Sequence, residues 1–254
     1  MSEKKITVMI QARTGSNRLS GKVLSEIENK SMIWHVINRI KNIKSVQQIV
    51  LITTNEKSDQ ILLDIAKDEG IEGFAGDTTN VLNRHYQCAL KMSADPIIRI
   101  TSDCPIIDPC LVEEMLQFFL KHNYDYVSNI HPATYPDGLD TEIFSFETLE
   151  KTSSNAKLNS EKEHVTPYME KHPELFSIFN FENNEDLSHI RLTVDQKEDL
   201  ELIQKIYSIM SPKIDFGLNE IKDILSKHPE LFKINSKYAR NEGYLKSLKE
   251  DKIE

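Results

Sequence analysis

Three cations, Arg13, Arg18 and Lys22, fall within ten residues of one another in a chain whose formal net charge is −9. They lie in the stretch Gln11-Ala12-Arg13-Thr14-Gly15-Ser16-Asn17-Arg18-Leu19-Ser20-Gly21-Lys22, directly after the apolar run Ile6-Thr7-Val8-Met9-Ile10. A β-favouring run that ends in a basic loop containing Gly and Ser delivers backbone amides, guanidinium and ammonium groups to one point. Such a point holds an anion. Gly15 and Gly21, two of the eight glycines, permit close backbone approach or positive φ there. The loop is not a P-loop: five residues separate its glycines where that motif has four, and Val23 follows Lys22 where a Ser or Thr would reach magnesium. The plain alternative is a solvated strand-to-helix loop with scattered charges.

Two carboxylates follow apolar runs further along. Pro96-Ile97-Ile98-Arg99-Ile100-Thr101 leads into Ser102-Asp103-Cys104-Pro105, and His189-Ile190-Arg191-Leu192-Thr193-Val194 leads into Asp195. Asp103, fixed by the following Pro, suits a hard cation such as Mg²⁺. A helix N-cap is the other use of such an Asp, but Asp108 with Pro109 behind it is the better cap. Two strands that each end in Asp bring two carboxylates to one rim of a parallel sheet, where with triphosphate oxygens they make a magnesium site. Asp140 and Glu142, in Tyr135-Pro136-Asp137-Gly138-Leu139-Asp140-Thr141-Glu142, read as a turn with surface acids. His164 beside Glu163 reads equally as an acid/base group or as a structural histidine. His85 and Cys88 are spaced as half of a metal site whose other half is missing, and Cys104 has no base beside it in sequence.

The elements that must position these groups are read from periodicity. Ile33, Val36, Ile37 and Ile40 mark a helix; residues 48–53 a buried strand; Ile61, Leu62, Ile65 and Ala66 a second helix; residues 71–75 a short strand; and a third helix starts near Thr79, with Asp77 and Thr78 as candidate caps. Strand and helix in regular alternation specify a parallel sheet with helices on both faces, and ligands at the carboxyl ends of the strands. Further strands are expected at 125–129, at 189–195 and, exposed, at 176–181. A helix over 196–210 is expected to carry Leu200, Ile203, Tyr207 and Met210 on one face. The charged helices from about Gly217 onward carry no recognisable chemistry.

The totals narrow the function. With 254 residues and 39% hydrophobic content, and without a Pro/Gly/Ser-rich linker, one α/β domain spanning 1–254 is expected. The negative charge argues against nucleic acid or an anionic membrane as partner. Three cysteines without a CxxC pair, and an apolar run near the N-terminus too short for a signal peptide, point to a cytoplasmic protein.

The loop resembles the signature of the cytidylyltransferases that make CMP-Kdo and CMP-acylneuraminate, P/Q-A-R-x-x-S-x-R-L-x-x-K, through Ala12, Arg13, Ser16, Arg18, Leu19 and Lys22. Gln11 and the following Val23-Leu24 are more similar to the spore-coat polysaccharide (SpsF-like) branch. Val81, Leu82 and Arg84 match that branch's D-V-L-x-R run, with Asn80 where Asp is usual. Arg99 to Pro105 resembles R-I-T-G-D-C-P, with Ser102 replacing Gly. Residues 135–142 resemble Y-P-x-G-L-D-x-E, and Glu163-His164-Val165-Thr166-Pro167-Tyr168 matches E-H-V-T-P-Y with Glu163 as its first residue.

The resemblance implies a three-layer Rossmann-like nucleotide-diphospho-sugar transferase fold with a mostly parallel sheet, and a small acceptor or dimerisation insertion at about 130–188 supporting a homodimer. It implies CTP as nucleotide, contacted by Gln11, Ala12, Arg13, Gly15, Ser16, Arg18, Lys22, Val81, Leu82, Arg84 and Ser102, with Arg13 and Lys22 catalytic. It further implies Mg²⁺ on Asp103 and Asp195, and an acidic-sugar or phosphorylated acceptor at Asp140, Glu142, Glu163 and His164. A nucleotide-sugar-dependent glycosyltransferase and a non-catalytic nucleotide-binding module are the alternatives; the first usually carries an Asp-x-Asp pair, which this chain lacks.

Overall fold

In the computed structural model, residues 4–16 and 18–251 are described. Strand β1 (Lys5–Gln11) is the buried run before the basic loop, and a small hairpin of β2 (Glu26–Ile27) and β3 (Lys30–Ser31) follows that loop. Then come α1 (Met32–Ile40), β4 (Gln48–Thr54), α2 (Gln60–Asp68), β5 (Glu72–Gly76), α3 (Val81–Met92), β6 (Ala94–Thr101) and α4 (Pro109–Lys121). The alternation expected from periodicity is therefore present, with β4, β1 and β6 paired parallel and β5 parallel to β4.

After α4 the pattern changes. Strands β7 (Tyr126–Ser128), β8 (Glu142–Phe144) and β9 (Ile178–Asn180) complete a seven-stranded sheet of order β5-β4-β1-β6-β8-β7-β9, in which β8 runs antiparallel to both neighbours. Helices α5 (Phe146–Asn155), α6 (Asn159–His164) and α7 (Pro167–Lys171) lie between β8 and β9; α8 (Lys197–Met210), α9 (Leu218–Lys227) and α10 (Glu242–Lys249) end the described chain.

Successive residues of each strand feed opposite layers, as the pleat requires. Val8, Ile10, Leu51, Ile98 and Ile100 pack with α1, α2 and α4, whereas Met9, Val50, Ile52, Ile97, Tyr126 and Phe144 pack with α3, α5 and Met169 of α7. A third apolar cluster joins Ile27, Ile190, Leu192 and Val194 to α8 and α9.

Three expectations are corrected. Residues 189–195 form no sheet strand: they hold one isolated bridge, Arg191 with Asp137, and backbone bonds to residues 137 and 103. An apolar alternating run reads the same whether it pairs in a sheet or packs under helices, which is what this one does. The buried face of α8 is Leu202, Ile203, Ile206 and Tyr207, with Leu200 and Met210 only partly covered. The cap of α3 is Asn80, whose side chain accepts from Asn83 N at 2.8 Å, while Asp77 accepts from the amides of Thr79 and Asn80 in the turn before it.

Asp108 is the cap of α4 that the sequence indicates: its Oδ1 accepts from Cys110 N at 2.9 Å, with Pro109 at the first helical position. Its other oxygen accepts from Leu218 N at 2.9 Å, so one carboxylate serves the starts of two helices. Asp108→Ala is expected to destabilise the fold by about 1–2 kcal/mol, read as a melting temperature lower by several degrees; an unchanged midpoint would contradict the capping role.

Candidate active site

The carboxyl ends of β1, β4, β5 and β6 share one rim, and the basic loop is tied down along it. Ala12 N donates to Ile52 O at 3.0 Å, and Thr14 donates to Asp59 Oδ1 from its amide at 2.7 Å and its hydroxyl at 2.6 Å. Thr54 donates to the other Asp59 oxygen. Burial works against the Asp59 carboxylate, yet these hydrogen bonds outweigh it and hold its pKa below the ordinary aspartate value. Sequence reading passes over Asp59, which sits in the polar break after β4 as one more helix-start residue.

Gly21, at φ +68, donates its amide to Thr14 O and opens a short turn over Lys22–Leu24 that carries the ammonium inward. There Lys22 Nζ donates to Asp195 Oδ1 at 2.7 Å, Val194 O at 2.8 Å and Asp103 Oδ2 at 3.1 Å. Two carboxylates from distant parts of the chain thus share one ammonium. Burial depresses the Lys22 pKa, but the charges of Asp103 and Asp195 more than restore it and hold it above the ordinary lysine value. Asp103 pays the same burial penalty and is nevertheless brought down to about 2, chiefly by Lys22. Arg18 pairs with Asp195 Oδ2 at 2.6 Å, so in this state it neutralises a carboxylate of the site.

Asp195 is held from behind by a hub absent from the sequence reading. Buried Arg191 binds Asp199 through Nε and Nη2, both at 2.9 Å, and Asp137 at 3.0 Å. Asp199 Oδ2 also accepts from the amides of Asp195 at 3.0 Å and Gln196 at 2.9 Å, and its Oδ1 accepts from Asn235 at 2.9 Å. The available signal was a helix-start acid in the first turn of α8. Burial, and then mutual repulsion, raise Asp137 to about 7; burial above all raises Asp140 to about 6.

On the other side of the loop, Arg84 is almost wholly buried, and its Nε and Nη1 have no hydrogen-bond partner. Burial, followed by the nearby charge of Arg13, lowers its pKa to about 10. Gly76 makes the room: a Cβ there would lie 2.9 Å from Arg84 Cγ. Adjacent cations with unspent N–H groups form a site for an anion.

The remaining predicted residues divide. Gly15 is exposed at the loop tip with open space around it, and Ser16 is half-buried. Ala12, Val81 and Leu82 are buried in the apolar layers, where Val81 and Leu82 seat the first turn of α3 and with it Arg84. Ser102 donates its amide to Gln11 O, and the Gln11 side chain accepts from Arg99 at 3.0 Å. Both Glu142 oxygens have partners: one pairs with Arg99, and the other accepts from Tyr126 at 2.9 Å and from Thr166. In this state it fixes Arg99. Asp140 pairs with Arg240, and His164 lies 3.0 Å from Ser247 Oγ, so the chain beyond Gly217 packs against two of the residues that the resemblance assigns to the acceptor.

Among the described residues no group of three or more His, Cys, Asp or Glu side chains is arranged to hold a metal. Two carboxylates with room for substrate oxygens are instead the usual protein share of a magnesium site.

The family model for cytidylyltransferases matches residues 7–237. The chain belongs to the cytidylyltransferase family. An uncharacterized protein of Methanocaldococcus jannaschii, MJ1063, is 36% identical over 245 residues, which cover 94% of this chain and 98% of that protein. The spore coat polysaccharide biosynthesis protein SpsF of Bacillus subtilis is 30% identical over 232 residues, covering 89% of this chain and 95% of its own. Among solved structures, a cytidylyltransferase from Leptospira borgpetersenii superposes with a TM-score of 0.87 at 32% identity, covering 91% of this chain and 97% of that one. This cytidylyltransferase is thus a CTP-dependent nucleotidyltransferase of α/β fold, and the glycosyl-transfer and non-catalytic readings fall away. No helix among its described residues is long and apolar enough to cross a membrane.

Proposed function

We propose that this cytidylyltransferase transfers CMP from CTP to an acidic sugar or phosphorylated acceptor, with Mg²⁺ on Asp103 and Asp195, in the synthesis of a surface polysaccharide. The observation that carries the reading is the meeting of Asp103 and Asp195 on the Lys22 ammonium at the carboxyl rim of the sheet. A buried ammonium between two carboxylates marks where positive charge is wanted, and the donor set, two carboxylate oxygens and a backbone carbonyl, is hard and suits a divalent cation. When bound, that cation neutralises the developing charge on the α-phosphate oxygens.

The chain's own residues do the rest. Arg13, Arg84 and Lys22 with the loop amides hold the triphosphate, and the acceptor approaches opposite the leaving group. The acceptor oxygen forms a bond to the α-phosphorus as the bond from that phosphorus to the bridging oxygen breaks. Pyrophosphate leaves with the electron pair, and the acceptor's proton passes to water. Positioning and charge neutralisation suffice for such a transfer. The names of the relatives support polysaccharide synthesis. The reading includes a cytoplasmic homodimer built through about 130–188, where β9 forms an edge of the sheet.

Calorimetry of CTP, UTP, ATP and GTP in Mg²⁺ tests this without knowledge of the acceptor. CTP-selective binding, weakened on the order of 100-fold in Asp103→Ala, is the expected result; no triphosphate binding by the parent would overturn it. A second outcome concerns Arg84. Because its guanidinium is buried with unpaired N–H groups, Arg84→Met is expected to raise stability by about 1 kcal/mol while weakening CTP binding by about tenfold or more. Urea denaturation beside the same calorimetry checks both directions, and a variant that loses stability would show that Arg84 is structural.

A further inference from the structure

The family model ends at residue 237, and the chain beyond it runs over the acceptor half of the site. Arg240 donates Nη1 to Tyr135 O at 2.9 Å and pairs with Asp140. Gly243, in α10, lies so near the nucleotide loop that a Cβ there would stand 3.3 Å from Arg18 Nη1. Tyr244 meets the His164 ring edge-on, with centroids 5.1 Å apart at 72°. Ser247 Oγ donates to Glu163 at 2.8 Å and lies 3.0 Å from His164 Nε2. Asp251 accepts from the Ser160 amide and hydroxyl at 2.7 and 2.8 Å, at the start of α6.

One short segment therefore runs beside Arg18 of the nucleotide loop and bonds to three of the four residues that the resemblance assigns to the acceptor. It is not part of the core. No residue of α10 is buried, and Leu245 is 52% exposed. A helix of this length has little stability alone, so these polar contacts decide whether it stays down. The nucleotide half, from Arg13 and Arg84 to Lys22 with its two carboxylates, is assembled entirely within the matched residues.

We propose that residues 240–251 form the acceptor-reading wall of the enzyme, with Tyr244 and Ser247 holding His164 and Arg240 holding Asp140, and that the wall closes on the acceptor and not on CTP. The arrangement suits a polyhydroxylated acceptor, because Arg240 and Asp140 are already paired with each other, and the Ser247 hydroxyl, bonded to Glu163 and His164, can exchange those bonds for an acceptor's hydroxyls. This inference rests on the function proposed above.

The test begins with pyrophosphate release by the parent enzyme with CTP and Mg²⁺ against 3-deoxy-manno-octulosonate, N-acetylneuraminate and glycerol phosphate. For any acceptor used, Tyr244→Ala and Ser247→Ala are expected to raise the acceptor KM tenfold or more, with kcat changed less than threefold and CTP affinity less than twofold. Tyr244→Phe, which keeps the ring against His164, restores the KM. Hydrogen exchange at the α10 amides slows on adding the acceptor and not on adding CTP with Mg²⁺ alone. An unchanged acceptor KM in both alanine variants, or a loss of CTP affinity equal to the rise in KM, overturns this inference and leaves the proposed function standing. Absence of pyrophosphate from the parent with every acceptor overturns both.

Discussion

Lys22→Met is expected to reduce turnover about a thousandfold, since removal of a single preorganised charge donor from such a site costs about 10²–10³ and this one also holds two carboxylates together. The Lys22 side chain is 12% exposed, and its ammonium lies 2.7 and 3.1 Å from Asp195 and Asp103. Without it, two half-buried carboxylates face each other without their shared cation, and the CTP phosphates lose a donor. Lys22→Arg is not expected to rescue the activity, because a planar guanidinium cannot replace a point charge that donates to two carboxylates and the Val194 carbonyl at once. The same geometry predicts a gain. With the ammonium gone, Asp103 Oδ2 and Asp195 Oδ1 lose their cation while Arg18 keeps only Asp195 Oδ2, so Mn²⁺ alone, without nucleotide, is expected to bind Lys22→Met more tightly than the parent. Pyrophosphate release and Mn²⁺ titration followed by electron paramagnetic resonance check the two halves. A variant that keeps a tenth of the parent's turnover would remove Lys22 from the chemistry.

The second large effect concerns Gly138, at the turn before Asp140. Its φ is +111, and a Cβ built there would lie 2.6 Å from Leu192 C and 2.7 Å from Thr193 N, both backbone atoms. Those atoms cannot retreat cheaply. Asp137 N donates to Ile190 O at 2.9 Å, Leu192 N to Asp137 O at 2.6 Å, and Val194 N to Asp103 O at 2.8 Å. A shift of this segment moves the residue before Asp195 and the backbone of Asp103 together. Gly138→Ala is therefore expected to cost about 3 kcal/mol or more, a melting temperature lower by roughly 6–12 °C, with CTP binding in Mg²⁺ weakened as well. Gly21 supplies the control: it also has positive φ, +68, but nothing stands within 4 Å of its would-be Cβ. Gly21→Ala should cost only the backbone term of about 1–2 kcal/mol. Equal losses in the two variants would show that close approach to residues 192–193 does not matter.

Asp103 stood out because it lies just past an apolar run with Pro105 two residues on, and Asp108 because Pro109 follows it; both signals lie within a few residues. Arg84 was found only through a resemblance, since a buried arginine in the first turn of a helix reads locally as a surface charge. The partner of Glu142 was hidden for the same reason. In sequence it is an acid after a turn, and only the antiparallel placement of β8 beside β6 sets it against Arg99.

The sequence by itself determined the alternation of strands and helices, the basic loop at the end of β1, and the family, because hydrophobic period, turn chemistry and short motifs are properties of neighbouring residues. The tertiary structure alone decided that the sheet runs β5-β4-β1-β6-β8-β7-β9 with β8 reversed. It alone decided that Lys22 joins Asp103 to Asp195, that Arg191 and Asp199 brace Asp195, and that the segment from Arg240 lies over Asp140 and His164. Each of these joins residues far apart in the chain. Whether such charges meet depends on strand order and on how much water their packing excludes, and neither is written in the local pattern of apolar and polar residues.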